Sequence, residues 1–280
     1  MSLPIKKVYL DSRYKRYDSV SNSNCKFELK QPIHLPLKCV AYIDDIQIPH
    51  TWYNVSDTNN KLYIRSLNSV NVQNDHIITM DSKNYTLALL ATELNTKLSA
   101  VFGANLTCSA NERRGTISFV SSTGNKHRIY SDEELYSGAI WSDFDWVGGT
   151  IDFTNPLSIN DVIKVSGQTT YSQFGGTVET GFINLRSIHN IYITSPNLGA
   201  FDTLGPRGEQ NIVKKVPVSS DWGYVIFDSV VSEHDYIDVS KGYFKTIELV
   251  LRDVRGNVID LNKSHWSLSI VFSMMKEKDI

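Results

Sequence analysis

FKTIELVLRDVRGNVIDLNKSHWSLSIVFS, residues 244–273, alternates apolar and polar residues twice, with one turn signal between the runs. Successive strand side chains point to opposite sides, so Ile247, Leu249 and Leu251 share one face, and Trp266, Leu268, Ile270 and Phe272 share another. Both runs read as half-buried strands. Between them, Asp253-Val254-Arg255-Gly256 has Asp where a type I turn takes a side-chain acceptor and Gly where a bulge needs positive φ, so the stretch reads as a hairpin. Burying such large side chains in one row contributes about 1.5–3 kcal/mol each only if a second sheet covers that row. The stretch therefore implies a β-sandwich.

The remaining sequence permits a full core. Of its 280 residues 41% are hydrophobic and 21% charged, an ordinary balance for a folded globular chain. Lys+Arg 28 against Asp+Glu 30 gives a net charge of -2, so no overall field recruits nucleic acid or an anionic membrane. The opening residues hold no apolar core of signal-peptide length, and no run approaches the ~18 apolar residues of a membrane span. A cytosolic or nuclear protein without a membrane span is expected. Cys25, Cys39 and Cys108 form no C-x-x-C pair and read as reduced, buried small hydrophobes. The sequons at Asn54, Asn84, Asn105 and Asn262 carry no weight without a secretory signal.

Along the chain, residues 1–20 read as a basic arm in which Lys6, Lys7, Arg13, Lys15 and Arg16 alternate with tyrosines. Cys25 to Leu29 and Leu37 to Ile48 read as strands, as do the shorter Leu62 to Arg65 and His76 to Met80. The period then changes. Leu87, Leu90, Ala91, Leu94, Leu98 and Val101 recur at helical spacing, with Asn84 or Ser82 as cap and Gly103 as stop. Leu106 to Ala110 and Ile117 to Phe119 form a second hairpin, and Ser131 to Glu134 is a capping box opening a short helix. From Thr177 onward the signal is strand: Thr177 to Leu185, Ile188 to Thr194, Asn211 to Val218 and Tyr224 to Asp228 precede the closing hairpin. Residues 148–176 carry no readable pattern. The organisation expected is an arm at 1–20, a sandwich from 21–59 and 148–280, and an inserted small α+β unit at 60–147.

No set of residues announces chemistry. Seven histidines are spread singly, with no H-x-H or H-E-x-x-H pair to present two imidazoles to one ion. Gly176 to Gly181 has the spacing of a phosphate loop, but Phe182 stands where a lysine must reach the phosphates and a strand follows. Ser23 and Lys26 are formally S-x-x-K without the companion motifs. Asp44 and Asp45 are adjacent in a strand, so they are expected on opposite faces rather than as an acid/base pair. No catalytic, cofactor-binding or metal residue is assigned. Ile140 to Trp146 reads as an aromatic seal of the inserted unit; its other reading is an exposed patch at Trp141 and Trp146 for a sugar or receptor. The basic arm is either a solvated tail or a docking segment for an acidic neighbour or packaged nucleic acid.

Three stretches together resemble the minor capsid (penton) proteins of polinton-like viruses, virophages and related large DNA viruses. They are Val8 to Arg16 with Ile46 to Val55, then Tyr85, Thr86, Leu90, Leu94 and Asn95, and finally Leu251-Arg252-Asp253, Gly256-Asn257 and Trp266-Ser267-Leu268. The resemblance implies a mainly β chain with a single eight-stranded jelly-roll sandwich, since the residues outside the insert suffice for one jelly roll and are tight for two. It implies no enzyme and no cofactor, but a structural virion protein, assembled in the host cytoplasm or nucleus, that forms homopentamers at the five-fold vertices of an icosahedral capsid. Implied partners are the major capsid protein and, through Lys6, Lys7, Arg13, Lys15 and Arg16, packaged nucleic acid or internal capsid proteins. The alternative is a receptor- or sugar-binding jelly-roll spike, a monomer or trimer with Trp141 and Trp146 exposed.

Overall fold

The computed structural model describes residues 4–67, 73–122, 124–136, 146–148, 157–165, 176–198, 203–206, 208, 210–231, 235–240 and 242–274. The chain is mainly β and divides into two compact units, one of Met1–Trp52 with Ile188–Ile280, the other of Tyr53–Ser187. In chain order the first unit opens with β1 (Pro4–Asp11), β2 (Asn24–His34) and β3 (Cys39–Pro49). The second unit follows with β4 (Lys61–Leu67), β5 (Gln73–Thr79), helix α1 (Leu87–Phe102), β6 (Leu106–Asn111), β7 (Thr116–Ser121) and β8 (Lys126–Ile129). It continues through α2 (Asp132–Tyr136), β9 (Trp146–Val147), α3 (Asn160–Ile163) and β10 (Gly176–Glu179). The first unit then resumes with β11 (Asn190–Thr194), β12 (Ile212–Pro217), β13 (Val225–Asp228), β14 (Ile237–Asp238), β15 (Tyr243–Arg252) and β16 (Ser267–Met274).

The first unit is two antiparallel sheets. One runs β1-β16-β3-β13, with β14 also on β3; the other runs β12-β11-β15-β2. Their inward rows meet in a single buried cluster, with Leu10, Ile43, Ile46, Ile48, Leu268, Ile270 and Phe272 from the first sheet and Phe27, Ile191, Ile193, Ile247, Leu249 and Leu251 from the second. That is a sandwich, as the alternation of the closing stretch requires.

The closing stretch itself is not a hairpin. The turn forms as read: Gly256 has φ 82°, its amide donates to the Asp253 carbonyl, and Arg252 bridges Val258. Beyond it, however, Ile259 and Leu261 are buried, and the chain crosses to the opposite sheet before β16 begins. β15 pairs with β2 and β11, whereas β16 pairs with β1 and β3. The two apolar rows therefore cover each other across the core instead of lying in one sheet. Period-2 alternation fixes which side chains face inward but not which strand is the neighbour.

A second correction concerns the amino terminus. Residues 4–11 are not an arm but strand β1, paired with β16 from Pro4↔Ser273 to Asp11↔Ser267. Leu10 is buried and Val8 packs against the core, while Tyr9 points outward. The apolar alternation was present beneath the basic residues.

The second unit has its own core of Leu62, Ile64, Ile78, Leu90, Leu94, Leu98, Leu106, Ile117 and Phe119. α1 buries Leu90, Ala91, Leu94, Leu98 and Phe102, one apolar stripe at three- and four-residue steps. Its cap is Thr86, whose hydroxyl accepts from the Leu89 amide, rather than Asn84 or Ser82, and Gly103 ends it at φ 59°. Phe102 completes the stripe, not Val101, which is exposed. β6 and β7 pair from Leu106↔Ser121 to Asn111↔Thr116, and Ser131 and Glu134 exchange the two bonds of a capping box.

The second unit is wider than 60–147. At its start Val55 and Lys83 exchange backbone bonds, and the Asn54 side chain both donates to the Tyr85 carbonyl and accepts from its amide. At its end β10 pairs with β7, and the amides of Ile183 and Asn184 donate to the carbonyls of Gly115 and Val162. Thr177 to Leu185 thus belongs to this unit and is strand only through Glu179. Such long-range bonds leave no periodic trace in the sequence.

Candidate interface surfaces

Four strands end the two sheets of the sandwich, and their side chains differ in kind. In the second sheet, β2 presents Lys26, Glu28 and Lys30, carries Pro32, and bulges opposite Lys245. Its opposite edge, β12, shows Lys215 and Pro217 to solvent, while Lys214 is buried against Asp228. Charge, proline and bulges are the devices that stop an edge from pairing with another chain. In the first sheet β13 has neither proline nor bulge, and its one charge, Asp228, is paired with Lys214 of β12. Val225 and Phe227 point outward and are 56% and 57% exposed, while Ile226 between them fills the core. Trp222, Tyr224 and Val230 flank them, also exposed. Among the described residues only β3 pairs with β13. At the other end of the same sheet, β1 shows Tyr9, 75% exposed, followed by the exposed Tyr14 and Tyr17.

The basic residues beside these tyrosines are largely engaged within the chain. Lys7 Nζ lies 2.5 Å from Asp44 Oδ2 and 3.7 Å from Asp45 Oδ2, which raises its pKa through the hydrogen bond to Asp44. Arg13 pairs with Asp11, holding that carboxyl below its ordinary range, and Arg16 pairs with Asp18 and Glu28. Lys15 donates to the Asn22 amide oxygen, and Lys6 is half-buried in β1. Trp141 lies outside the described residues. Trp146 forms β9, paired in parallel with Asp75, and its side chain also lies outside them.

Asp44 and Asp45 do not face opposite ways. Ser269 pairs with Asp45 and Ile270 with Ile43, so Asp44 is an extra residue, a β-bulge that turns both carboxylates toward Lys7 on the outer face. The Ser269 hydroxyl donates to Asp45. Among the described residues no group of three or more His, Cys, Asp or Glu side chains is placed to hold a metal ion. Ser23 is buried at the start of β2, and Lys26 pairs with Glu248 and Asp18. Glu179, inside the loop with phosphate-loop spacing, is held below its ordinary range by Thr116 and Arg114, an acidic centre unsuited to phosphate. The three cysteines are free and buried, and burial pushes the Cys25 and Cys108 thiols up to about 11 and about 12.

This architecture has a solved counterpart. The fold is similar to that in the crystal structure of SeMet-labelled mavirus penton protein, with a TM-score of 0.53 and 10% identity, over 96% of this chain and 100% of that one. No protein-family model and no curated protein matches the sequence. At that identity the likeness speaks for the fold alone, and it runs through the residues of both units.

The outward row of β13 escaped the sequence reading because Tyr224 to Phe227 is apolar without alternation, which reads as a strand buried on both faces. In a two-layer sandwich one face of β13 looks away from the core, and that makes half of the run a surface.

Proposed function

We propose that this chain is a structural virion protein, a penton-like minor capsid subunit that forms homopentamers at the five-fold vertices of an icosahedral shell. The observation that carries the proposal is the likeness to the mavirus penton protein over essentially the whole of both chains. The strand order supports reading the sandwich as one jelly roll. Assigning β13 and β14 to a single position gives eight positions, in which the first, eighth, third and sixth form one sheet and the second, seventh, fourth and fifth the other. That is two Greek keys wound into one sandwich.

A subunit of this kind works through complementary flanks on a rigid scaffold, not through a reactive site. At a vertex it presents two different flanks that meet head to tail, a heterologous contact that closes into a ring only when each rotation is one fifth of a turn. The major capsid protein is then its outer neighbour in the virion. With a net charge of -2, self-repulsion does little to oppose ring formation. The test is mass by light scattering together with class averages from electron microscopy of the purified chain. Five-fold rings of five times 31.6 kDa are expected. A trimer would favour the spike reading, and a strict monomer at tens of micromolar would overturn self-assembly into pentamers.

A further inference from the structure

We infer that His76 and His127, with the Phe102 ring between them, form an acid-sensitive latch that holds the last turn of α1 on its sheet and releases it in mild acid. The inference concerns the second unit by itself and does not depend on the proposed assembly. Ile64 of β4 pairs with His76 of β5 on one side and with Ile129 of β8 on the other. His127 precedes Ile129 by two residues, so both histidines stand on the sheet face whose Leu62, Ile64, Ile78 and Ile129 share a buried cluster with the apolar stripe of α1. Phe102 is the last residue of that stripe. Its ring meets His76 at 4.9 Å and His127 at 5.3 Å, edge-on in both cases. One aromatic side chain thus ties the helix end to two strands, and immediately beyond it Gly103, Ala104 and Asn105 are exposed.

The latch holds while both rings are neutral. His127 is buried, and its Nδ1 lies 2.9 Å from the Ser121 hydroxyl. That hydroxyl donates its one proton to the Asn125 carbonyl at 2.8 Å, so Nδ1 carries the hydrogen and Nε2 is the atom that must take up a further proton. Around the pair, α1 contributes the Phe102 ring, β7 the Ser121 hydroxyl, and β4 Ile64 and Ser66. The neighbouring charges are held by one another. Asp75 beside His76 pairs with Arg65, Arg128 beside His127 pairs with Glu134, and Glu93 and Lys97 of α1 pair with Lys83 and Asp81, while Lys126 is exposed. Asp75 favours the charged form of His76, but burial outweighs it, and burial first and His76 second push the His127 pKa down to about 4. A proton therefore enters when the helix end lifts and water reaches the rings. From about pH 7.5 to about pH 5 carboxylates stay ionised, whereas an opened His127, with its ordinary value near 6.5, binds the proton that the closed one refuses. That linkage raises the opening equilibrium roughly thirtyfold over this span from His127 alone.

Amide hydrogen exchange of the full chain at about pH 7.5 and about pH 5, corrected for the intrinsic pH dependence of exchange, tests this. Protection of the Ser99 to Phe102 amides is expected to fall roughly thirtyfold, and that of Leu249 and Ile270 in the core of the sandwich far less. The double variant His76→Gln with His127→Gln keeps polar side chains that cannot charge, and its helix end should stay equally protected at the two pH values. An equal loss throughout the chain, no loss at the helix end, or a loss that persists in the variant would each overturn the inference. Should the variant not fold, the ring proton resonances of the parent decide. A His127 midpoint well below 6.5 supports the latch, and a His127 midpoint near 6.5 overturns it.

Discussion

Trp266 shows how much one side chain of the closing stretch decides. It is 2% exposed, its ring meets Phe27 of the opposite sheet edge-on at 6.3 Å, and its Nε1 donates to the Asn22 carbonyl. Trp266→Ala removes the packing and the indole's hydrogen bond to that carbonyl, which keeps the Cys25 thiol, so a loss of about 3–5 kcal/mol is expected by denaturant titration. Ser267→Ala, next along the strand, should be close to neutral, and equal effects would mean that the strand register is wrong. In the second unit, His127 is buried against Phe102, whose ring also meets His76, and its Nδ1 bonds the Ser121 hydroxyl. Burial first, and His76 second, push the His127 pKa down to about 4. Between the ordinary value near 6.5 and about 4, the unfolded chain binds a proton that the folded chain refuses, so stability falls as pH falls through that window. The full loss is roughly 3 kcal/mol, and His127→Gln should flatten the dependence of melting temperature on pH over the same range. The inward face of Trp266 was legible in the alternation of the closing stretch, whereas the burial of His127 was not, since it was one of several scattered histidines. Asp44 was misread for a related reason, since a bulge is a property of two strands and no single strand displays it.

At the scale of elements, the sequence disclosed what depends on nearby residues and concealed what depends on partners. α1, the hairpin of β6 and β7, and the capping box of α2 stand where periodicity, turn glycine and capping chemistry placed them. Thr86 was overlooked as the cap because Ser82 and Asn84 lie equally close to the helix start, and only the geometry shows which side chain reaches a free amide. Thr86→Ala is expected to cost about 1 kcal/mol, measured as a shift in the unfolding midpoint, while Asn84→Ala should leave that midpoint unchanged. β1 was hidden by Lys6 and Lys7 and by the basic residues that follow it. Its burial of Leu10 and its complete ladder with β16 separate a strand from a tail by experiment. A chain beginning at Ser19 loses every β1 bond to β16 and uncovers the core beneath Leu10, so it should melt markedly lower than the full chain or fail to fold cooperatively. An unchanged melting temperature would return residues 4–11 to the status of an arm. The partner strands of β15 and β16 were equally invisible, because two rows that face each other across a core carry the same alternation as two rows side by side.

For the whole molecule, the division into two units has an energetic consequence that can be measured. The second unit, Tyr53–Ser187, holds its own buried cluster, from Val55 through Leu90, Leu94 and Phe119 to Ile183, with α1 packed on its sheets. Its two chain ends are fixed from within: Asn54 clasps Tyr85, Val55 exchanges bonds with Lys83, and Ile183 and Asn184 return to Gly115 and Val162. A segment with a private core and tethered ends meets the physical conditions for independent folding. A chain of residues 53–187 alone is therefore expected to unfold in one cooperative thermal transition, followed by circular dichroism. The reciprocal chain, with 53–187 replaced by a short flexible linker, should retain a cooperative transition of its own, because among the described residues the buried cluster from Leu10 to Phe272 is made of residues outside 53–187. His127 supplies an internal marker for the assignment. The loss of stability between pH 6.5 and about 4 should travel with the 53–187 chain and be much smaller in the linker-closed sandwich, which lacks both His76 and His127. If the 53–187 chain melts without cooperativity, or the sandwich inherits the full acid sensitivity, the two units share one folding transition and the apparent division does not extend to their energetics.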